Sequence, residues 1–366
     1  MDWLELHGDW LEEVRQRARD RLPEWFAEFT EAGAGDEITA SGAAAAWDRL
    51  RLRPRILTDV SAVSTATTVL GTPVDTPILV APTAMHLCAH PEGEAASAAG
   101  TAAAGSLFCL STRSGRPMSQ VAAAGGPWWA QVYVLRDREL TAGYVRRAAE
   151  NGASALVLTA DTPVPGRKPR WEALGVSPEL PPGCVTANLV PDEPEPDPMA
   201  QLQAADLTPD VIGWLARISG LPIVVKGVLR GDDAVRCADA GADAVYVSNH
   251  GGRQLDGAVS TAVALPEVVA ALAGSGVEVY ADGGIRRGSH ALRALALGAR
   301  AVFLGRPVLW GLAAGGPDGV RDVLRTLTGE LEHAMALAGA PTVAHLTPDL
   351  VHPLPGAVRP VPDMGV

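Results

Sequence analysis

From Pro77 onward the chain alternates between short, almost continuously apolar runs and longer amphipathic or alanine-rich stretches. The apolar runs lie at 77–83, 107–112, 128–134, 155–161, 222–228, 244–250, 278–284 and 301–307. They lack the polar–apolar alternation of a half-exposed strand, so both faces are expected to be buried. The stretches between them, among them 138–151, 231–240, 288–297 and 318–338, carry apolar residues at helical spacing. Buried strands alternating with helices predict a parallel sheet covered by helices. Eight such units predict an α/β fold closed into a (β/α)8 TIM barrel over 77–340, with an open doubly wound sheet as the alternative.

The rest of the chain is less regular. Residues 1–76 read as helical and then irregular: Leu22–Phe29 has helical spacing, and Gly33 and Gly35 end it. The connection 162–209 is too long for an ordinary strand-to-helix link and contains the proline- and acid-rich run Pro191–Pro198. It reads as a flap over the barrel mouth, or as a disordered surface insert. The tail 351–366 is rich in proline and either packs on a neighbouring subunit or dangles. The whole chain, 1–366, is expected to be one domain.

Composition narrows the function. The net charge is −12 with no basic cluster, which argues against nucleic acid or an anionic membrane as partner. Four scattered cysteines without metal-like spacing suit a reducing cytoplasm, and no metal is expected. The acidic start does not read as a signal peptide, and no run approaches the length of a membrane span.

Each apolar run ends in a polar or glycine-bearing group: Pro82-Thr83-Ala84, Ser111, Gln131 and Tyr133, Thr159 and Asp161, Lys226, Ser248 and His250, Asp282-Gly283-Gly284, and Gly305-Arg306. Singly, a strand-end Ser or Asp reads as a helix cap and a lone His as structural. Together at one end of a barrel they read as chemistry. His250-Gly251-Gly252-Arg253 puts a proton acceptor and an anion clamp on one tight turn. Asp282 to Arg286 and Gly305-Arg306 resemble a barrel phosphate site, or else two glycine turns with surface arginines. A fixed cation at Lys226, ending the fifth apolar run, would stabilise negative charge on a reduced flavin ring.

These segments, with Arg53–Leu57, Ala81–Met85, His90–Glu94, Thr159–Pro163 and above all Ser248–Asp256, resemble the FMN-dependent 2-hydroxy-acid oxidase and dehydrogenase family, which includes glycolate, lactate and mandelate oxidases. The resemblance covers nearly the whole chain. It implies FMN held by the backbone of Pro82, Thr83 and Ala84, by Ser111, Gln131, Thr159, Lys226 and Ser248 at the ring, by Asp282, and by Gly283, Gly284, Arg286, Gly305 and Arg306 at the phosphate. It also implies that His250 takes a proton from substrate as a hydride equivalent reaches flavin N5. Asp161 would orient His250, Tyr133 would hydrogen-bond the reacting oxygen, and Arg253 would bind the substrate carboxylate. Electrons would pass to oxygen or to a separate soluble carrier, and the assembly would be a homotetramer or octamer.

Three positions depart from the family pattern. Phe29 stands where a carboxylate-binding tyrosine is usual, Lys168 where an arginine is usual, and Arg113 where an apolar or aromatic pocket residue is usual. Lysine lacks the planar fork of arginine. One reading keeps a bulky or aryl 2-hydroxy acid as substrate, with Arg113 facing solvent and Arg167 or Arg170 able to swing in. Another keeps the flavin chemistry but moves it to the carbinol or amine carbon of a specialised metabolite or modified peptide. An isomerase on a similar barrel and a non-catalytic FMN scaffold are weaker rivals.

Overall fold

The structure, a computed structural model, describes residues 9–177, 179–189 and 202–352. Eight parallel strands close into a barrel: β1 (Ile78–Val80), β2 (Phe108–Leu110), β3 (Trp128–Val132), β4 (Leu156–Thr159), β5 (Ile223–Val228), β6 (Ala244–Val247), β7 (Glu278–Ala281) and β8 (Ala301–Leu304). Neighbours pair in sequence order, and β8 closes on β1 from Val302↔Ile78 to Leu304↔Val80. Every predicted strand is present, but most stop short of the polar residues that end the apolar runs. Those residues leave the ladder and form the loops at the C-terminal end of the barrel.

Side chains fill the barrel interior. Leu79, Leu107, Trp129, Val157, Val224, Tyr246, Tyr280 and Phe303 form one buried cluster, with Tyr246 and Phe303 stacked at 4.6 Å. Burying such residues stabilises the fold by roughly 1.5–3 kcal/mol each. A hairpin of Thr67–Val69 and Thr72–Val74 adds Val69 and Val74 to this cluster and plugs the N-terminal end. The cavity that collects the strand-end residues lies at the C-terminal end.

Twelve helices surround and cover the strands among the described residues: α1 (Trp10–Arg21), α2 (Glu24–Glu31), α3 (Ile38–Asp48), α4 (Gly93–Ala103), α5 (Met118–Ala122), α6 (Arg138–Glu150), α7 (Pro169–Glu172), α8 (Asp210–Ser219), α9 (Gly231–Asp239), α10 (Thr261–Ala271), α11 (Gly288–Ala296) and α12 (Arg306–Ala338). The helix expected at 318–338 is present, and an unanticipated helical stretch from Arg306 precedes it across a break at Gly315 and Gly316, with Pro317 after them. One sequence expectation needs correction. The stretch after Gly35, expected to be irregular, contains α3, whose alanine-rich sequence carries little amphipathic signal. Asp256 holds its start, accepting from the backbone N of Asp36 and of Thr39 at 2.9 Å each.

The described part of the 162–209 connection is ordered against the barrel. Residues 202–204 run antiparallel to the chain leaving β3, with Arg136 N donating to Leu202 O and Ala204 N to Val134 O. The run Pro191–Pro198 and the tail from 353 lie outside the described residues. Val351–His352 pairs with Arg51–Leu52. No helix of the described residues is long and apolar enough to cross a membrane.

Candidate active site

The cavity at the C-terminal mouth collects residues from most of the loops. Phe29, Pro82, Thr83, Ala84, Ser111, Tyr133, Lys168, Lys226, His250, Arg253, Asp282, Gly283, Gly284, Arg286, Gly305 and Arg306 all line it. Five expected site residues do not. Gln131, Thr159 and Ser248 are buried just behind it, Asp161 stands behind His250, and Arg113 lies to one side.

His250 sits on a turn of three consecutive left-handed residues. Its φ is +57°, and Gly251 and Gly252 follow at +65° and +73°. A left-handed residue other than glycine costs on the order of 1–3 kcal/mol and persists where the surroundings enforce it. At Gly252 a Cβ would fall 2.5 Å from Ala40 N, so the turn packs directly on α3. The result aims the imidazole inward, where His250 Nδ1 meets Asp161 Oδ1 at 3.0 Å and Oδ2 at 3.2 Å. Burial and the nearby Lys226 cation lower the His250 pKa from its ordinary value, against the opposing pull of Asp161. The net effect favours the neutral ring, with Nε2 turned from the carboxylate.

Room for that carboxylate comes from Gly227. Its φ is +106°, and a Cβ there would stand 2.5 Å from Asp161 Cβ. The same glycine shifts the β5–β6 register between Lys226 and Val228. Lys226, 4 % exposed, donates to Ser248 Oγ at 2.8 Å and lies 3.8 Å from Asp282 Oδ2. Gln131 Nε2 donates to Thr159 Oγ1, while its Oε1 accepts from Thr112 N and Ser111 Oγ. These contacts fix the floor beneath the cavity.

At the opposite wall, Arg253 Nη1 donates to the carbonyls of Phe29, Thr30 and Ala32 at 2.8, 3.2 and 2.8 Å. These lie at the C-terminal end of α2, the negative end of its dipole. No hydrogen bond among the described residues uses Nε or Nη2 of Arg253. Burial and repulsion from Arg306 depress its pKa to about 9. Lys168 Nζ reaches the Gly166 carbonyl at 2.8 Å, and burial beside Arg253 brings its pKa down to about 8. Burial raises the Tyr133 hydroxyl to about 12. Arg253, Lys168 and Tyr133 thus place hydrogen-bond donors in the same cavity as the His250 ring.

Arg286 and Arg306 form a second cationic pole. Burial, then repulsion from Arg306, lowers Arg286 to about 10, and burial lowers Arg306 as well. Clustered buried guanidiniums suit an anion such as a phosphate. Arg306 nevertheless donates to Thr30 O, Gly251 O and Glu31 O, so it also ties α2 to the His250 turn. Arg286 Nη1 binds the Ile285 carbonyl, and its guanidinium lies 5.3 Å from the Trp310 ring. At Gly284, φ +79°, a Cβ would fall 2.3 Å from Ala43 O, so this glycine serves the packing of α3. Asp282 lines the same cavity, and its buried Oδ1 has no hydrogen-bond partner among the described residues, an acceptor suited to the hydroxyls of a polyol. Two buried guanidiniums, a buried carboxylate acceptor and Lys226 in one cavity fit FMN.

The sequence reading missed several contributors. Gln254 Nε2 donates to Asp161 O and Val164 O, and its Oε1 accepts from Gly166 N, stitching the His250 turn to the loop after β4. Gln203 lines the mouth with a buried, unpartnered Oε1. Gln254 lay within the Ser248–Asp256 signature and could have been singled out; nothing in its local pattern marked Gln203. Arg113, expected to face solvent in one reading, is partly buried near Tyr133, and burial lowers its pKa.

Comparison with known proteins agrees with this geometry. The chain belongs to the FMN-dependent dehydrogenase family, whose family model matches residues 18–353. It is 44 % identical over 358 residues to the L-lactate oxidase of Nostoc sp., covering 93 % of this chain and 97 % of that protein. It is 40 % identical to human 2-hydroxyacid oxidase 1 over 366 residues, with 96 % and 98 % covered. The crystal structure of a mandelate oxidase with (S)-2-phenylpropionate superimposes with a TM-score of 0.85 at 39 % identity, covering 93 % and 97 %. The protein is an FMN-dependent oxidoreductase on a TIM barrel.

Proposed function

We propose that the protein oxidises the CH–OH carbon of a bulky or aryl 2-hydroxy acid to the 2-oxo acid, with His250 as base. The observation that carries this reading is the pairing of His250 with Asp161 at 3.0 Å, opposite the unused Nε and Nη2 donors of Arg253. FMN, when bound, accepts the two electrons released from the substrate carbon. Arg253 holds the carboxylate, and Lys168 adds a second positive charge. Tyr133, kept protonated by burial, donates to the substrate oxygen. His250 takes the proton, and Asp161 stabilises the imidazolium that forms. Lys226 and Ser248 support the ring, Asp282 the ribityl chain, and Arg286 and Arg306 the phosphate, with Arg306 acting chiefly by charge.

Bulk at the substrate carbon is supported by the walls of the cavity. Phe26, Phe29, Pro165 and the small Ala84 line it, and Phe29 packs edge-on against Trp171 at 5.5 Å. The electron acceptor is oxygen or a separate soluble carrier. Self-association, as a tetramer or octamer, is supported by the adjoining Ile56, Leu57 and Leu337, which are 82 %, 101 % and 67 % exposed.

Anaerobic titration of the flavin-loaded protein with lactate, glycolate and both enantiomers of mandelate tests the reading. Bleaching of the flavin band by one mandelate enantiomer, at lower concentration than by glycolate, is expected. Failure of every 2-hydroxy acid to bleach a flavin that a chemical reductant does bleach would favour a different substrate.

A further inference from the structure

Two thiols meet at the edge of the barrel mouth, remote in sequence and unused by the chemistry above. Cys88 Sγ and Cys184 Sγ are 3.7 Å apart. Cys88 closes the short 3-10 turn His86–Cys88 that follows the Pro82–Ala84 loop. Cys184 belongs to the segment of the long connection that precedes its undescribed part. That segment is docked firmly: Asn188 accepts from Met118 N at 2.9 Å and donates to Ser114 Oγ and Arg116 O, and Arg147 binds the carbonyls of Asn188 and Leu189. A Cβ at Gly115 would fall 2.4 Å from Leu87 Cδ1 and 3.1 Å from Cys184 Cα. The glycine therefore lets the two cysteine-bearing segments approach each other.

We propose that Cys88 and Cys184 form a peroxide-responsive thiol pair that closes to a disulfide and staples the post-β4 connection to the loop after β1. The two cysteines are unequal, as such a pair requires. Cys88 is partly exposed, and the hydrogen bond from Cys184 lowers its thiol pKa. Cys184 is buried, and the same contact together with burial raises its own. Cys88, the more exposed of the two, is thus the sulfur that meets an oxidant, and Cys184, buried behind it, the thiol that resolves the product.

The chemistry balances with hydrogen peroxide as the oxidant. The Cys88 thiolate attacks one peroxide oxygen, the O–O bond breaks, and hydroxide leaves and is protonated to water. Cys184 sulfur then attacks the sulfenic sulfur, expels a second water and forms the S–S bond. Two thiols lose two protons and two electrons, and one peroxide becomes two waters. If oxygen is the electron acceptor, turnover itself releases peroxide near this pair. The proposal holds whichever acid is the substrate, because peroxide can be supplied directly.

The test uses the full-length, flavin-loaded protein, reduced, desalted and exposed to dilute hydrogen peroxide before alkylation and non-reducing peptide mapping. A linked peptide pair containing Cys88 and Cys184 is expected. Titratable thiols under denaturing conditions should fall from four to two and recover with dithiothreitol. The oxidised protein should also unfold at a higher temperature than the reduced one, a difference absent in Cys88→Ser. In Cys184→Ser, oxidation should stop at a Cys88 sulfenic acid that dimedone traps. Absence of the linked pair in the wild-type protein would overturn the proposal. So would linkage through Cys109, Cys237 or a second chain, or a bridge that lowers the unfolding temperature.

Discussion

The Arg253 guanidinium lies 4.8 Å from the centre of the Phe29 ring, while its Nη1 donates to the Phe29 carbonyl at 2.8 Å. One residue therefore holds Arg253, the proposed carboxylate clamp, by both its ring and its backbone. A cation over an aromatic face contributes roughly 0.5–2 kcal/mol, more when water is excluded. The ring at this position orients Arg253 but offers the substrate no hydroxyl. Phe29→Tyr should restore a donor. A hydrogen bond to a charged group is worth roughly 1.5–3 kcal/mol, so kcat/KM for small acids such as glycolate should rise about 10- to 100-fold. Steady-state kinetics on glycolate and mandelate check this, and the gain should be larger for glycolate.

The His250 environment sets the acid side of the pH profile. Burial and Lys226 lower its pKa and Asp161 raises it. The base form grows as pH rises, so kcat/KM should climb through a pKa below the usual histidine value and be level near neutrality on that side. Asp161→Asn removes the raising influence, so the acid limb should move to lower pH while flavin reduction slows. Lys226→Met removes a lowering influence, so the limb should move the opposite way, measured with FMN in excess. Shifts of the same sign in both variants would contradict this arrangement.

Lys168 sets an alkaline limit. With its pKa at about 8, it loses its charge as pH rises through that value, and the attraction for the carboxylate weakens with it. kcat/KM should therefore fall above about pH 8. Lys168→Arg should carry activity to higher pH, because guanidinium keeps its proton more strongly. The loss should appear mainly in KM if Lys168 acts on bound carboxylate rather than on the reacting carbon.

Gly227→Ala separates stability from alignment. The added methyl would stand 2.5 Å from Asp161 Cβ at a left-handed φ. Strain of this kind costs on the order of 1–3 kcal/mol. The unfolding temperature should fall modestly, while flavin reduction falls much further because Asp161 no longer aligns His250. Differential scanning calorimetry alongside stopped-flow reduction measures both.

Much of this site was legible before the structure. The barrel followed from apolar runs without alternation, since strands buried on both faces must read that way. His250, Asp161, Tyr133, Arg253 and Lys226 followed from their places at strand ends and from the family resemblance. What remained hidden depends on distance between segments. Nothing local to Gly227 says that its missing Cβ makes space for Asp161. Nor does the sequence near Arg306 say that its donors are taken by Thr30, Gly251 and Glu31. Helix α3 escaped notice because its alanines give almost no amphipathic contrast, and Asp256, which anchors it, lies far along the chain.

The central claim is that His250 is the base in flavin reduction by a 2-hydroxy acid. The most direct measurement is anaerobic stopped-flow reduction of flavin-loaded wild type and His250→Gln by mandelate. The variant should keep its bound yellow flavin and lose about 100- to 10,000-fold in reduction rate, the span of general base catalysis. Reduction of His250→Gln at the wild-type rate would contradict the account.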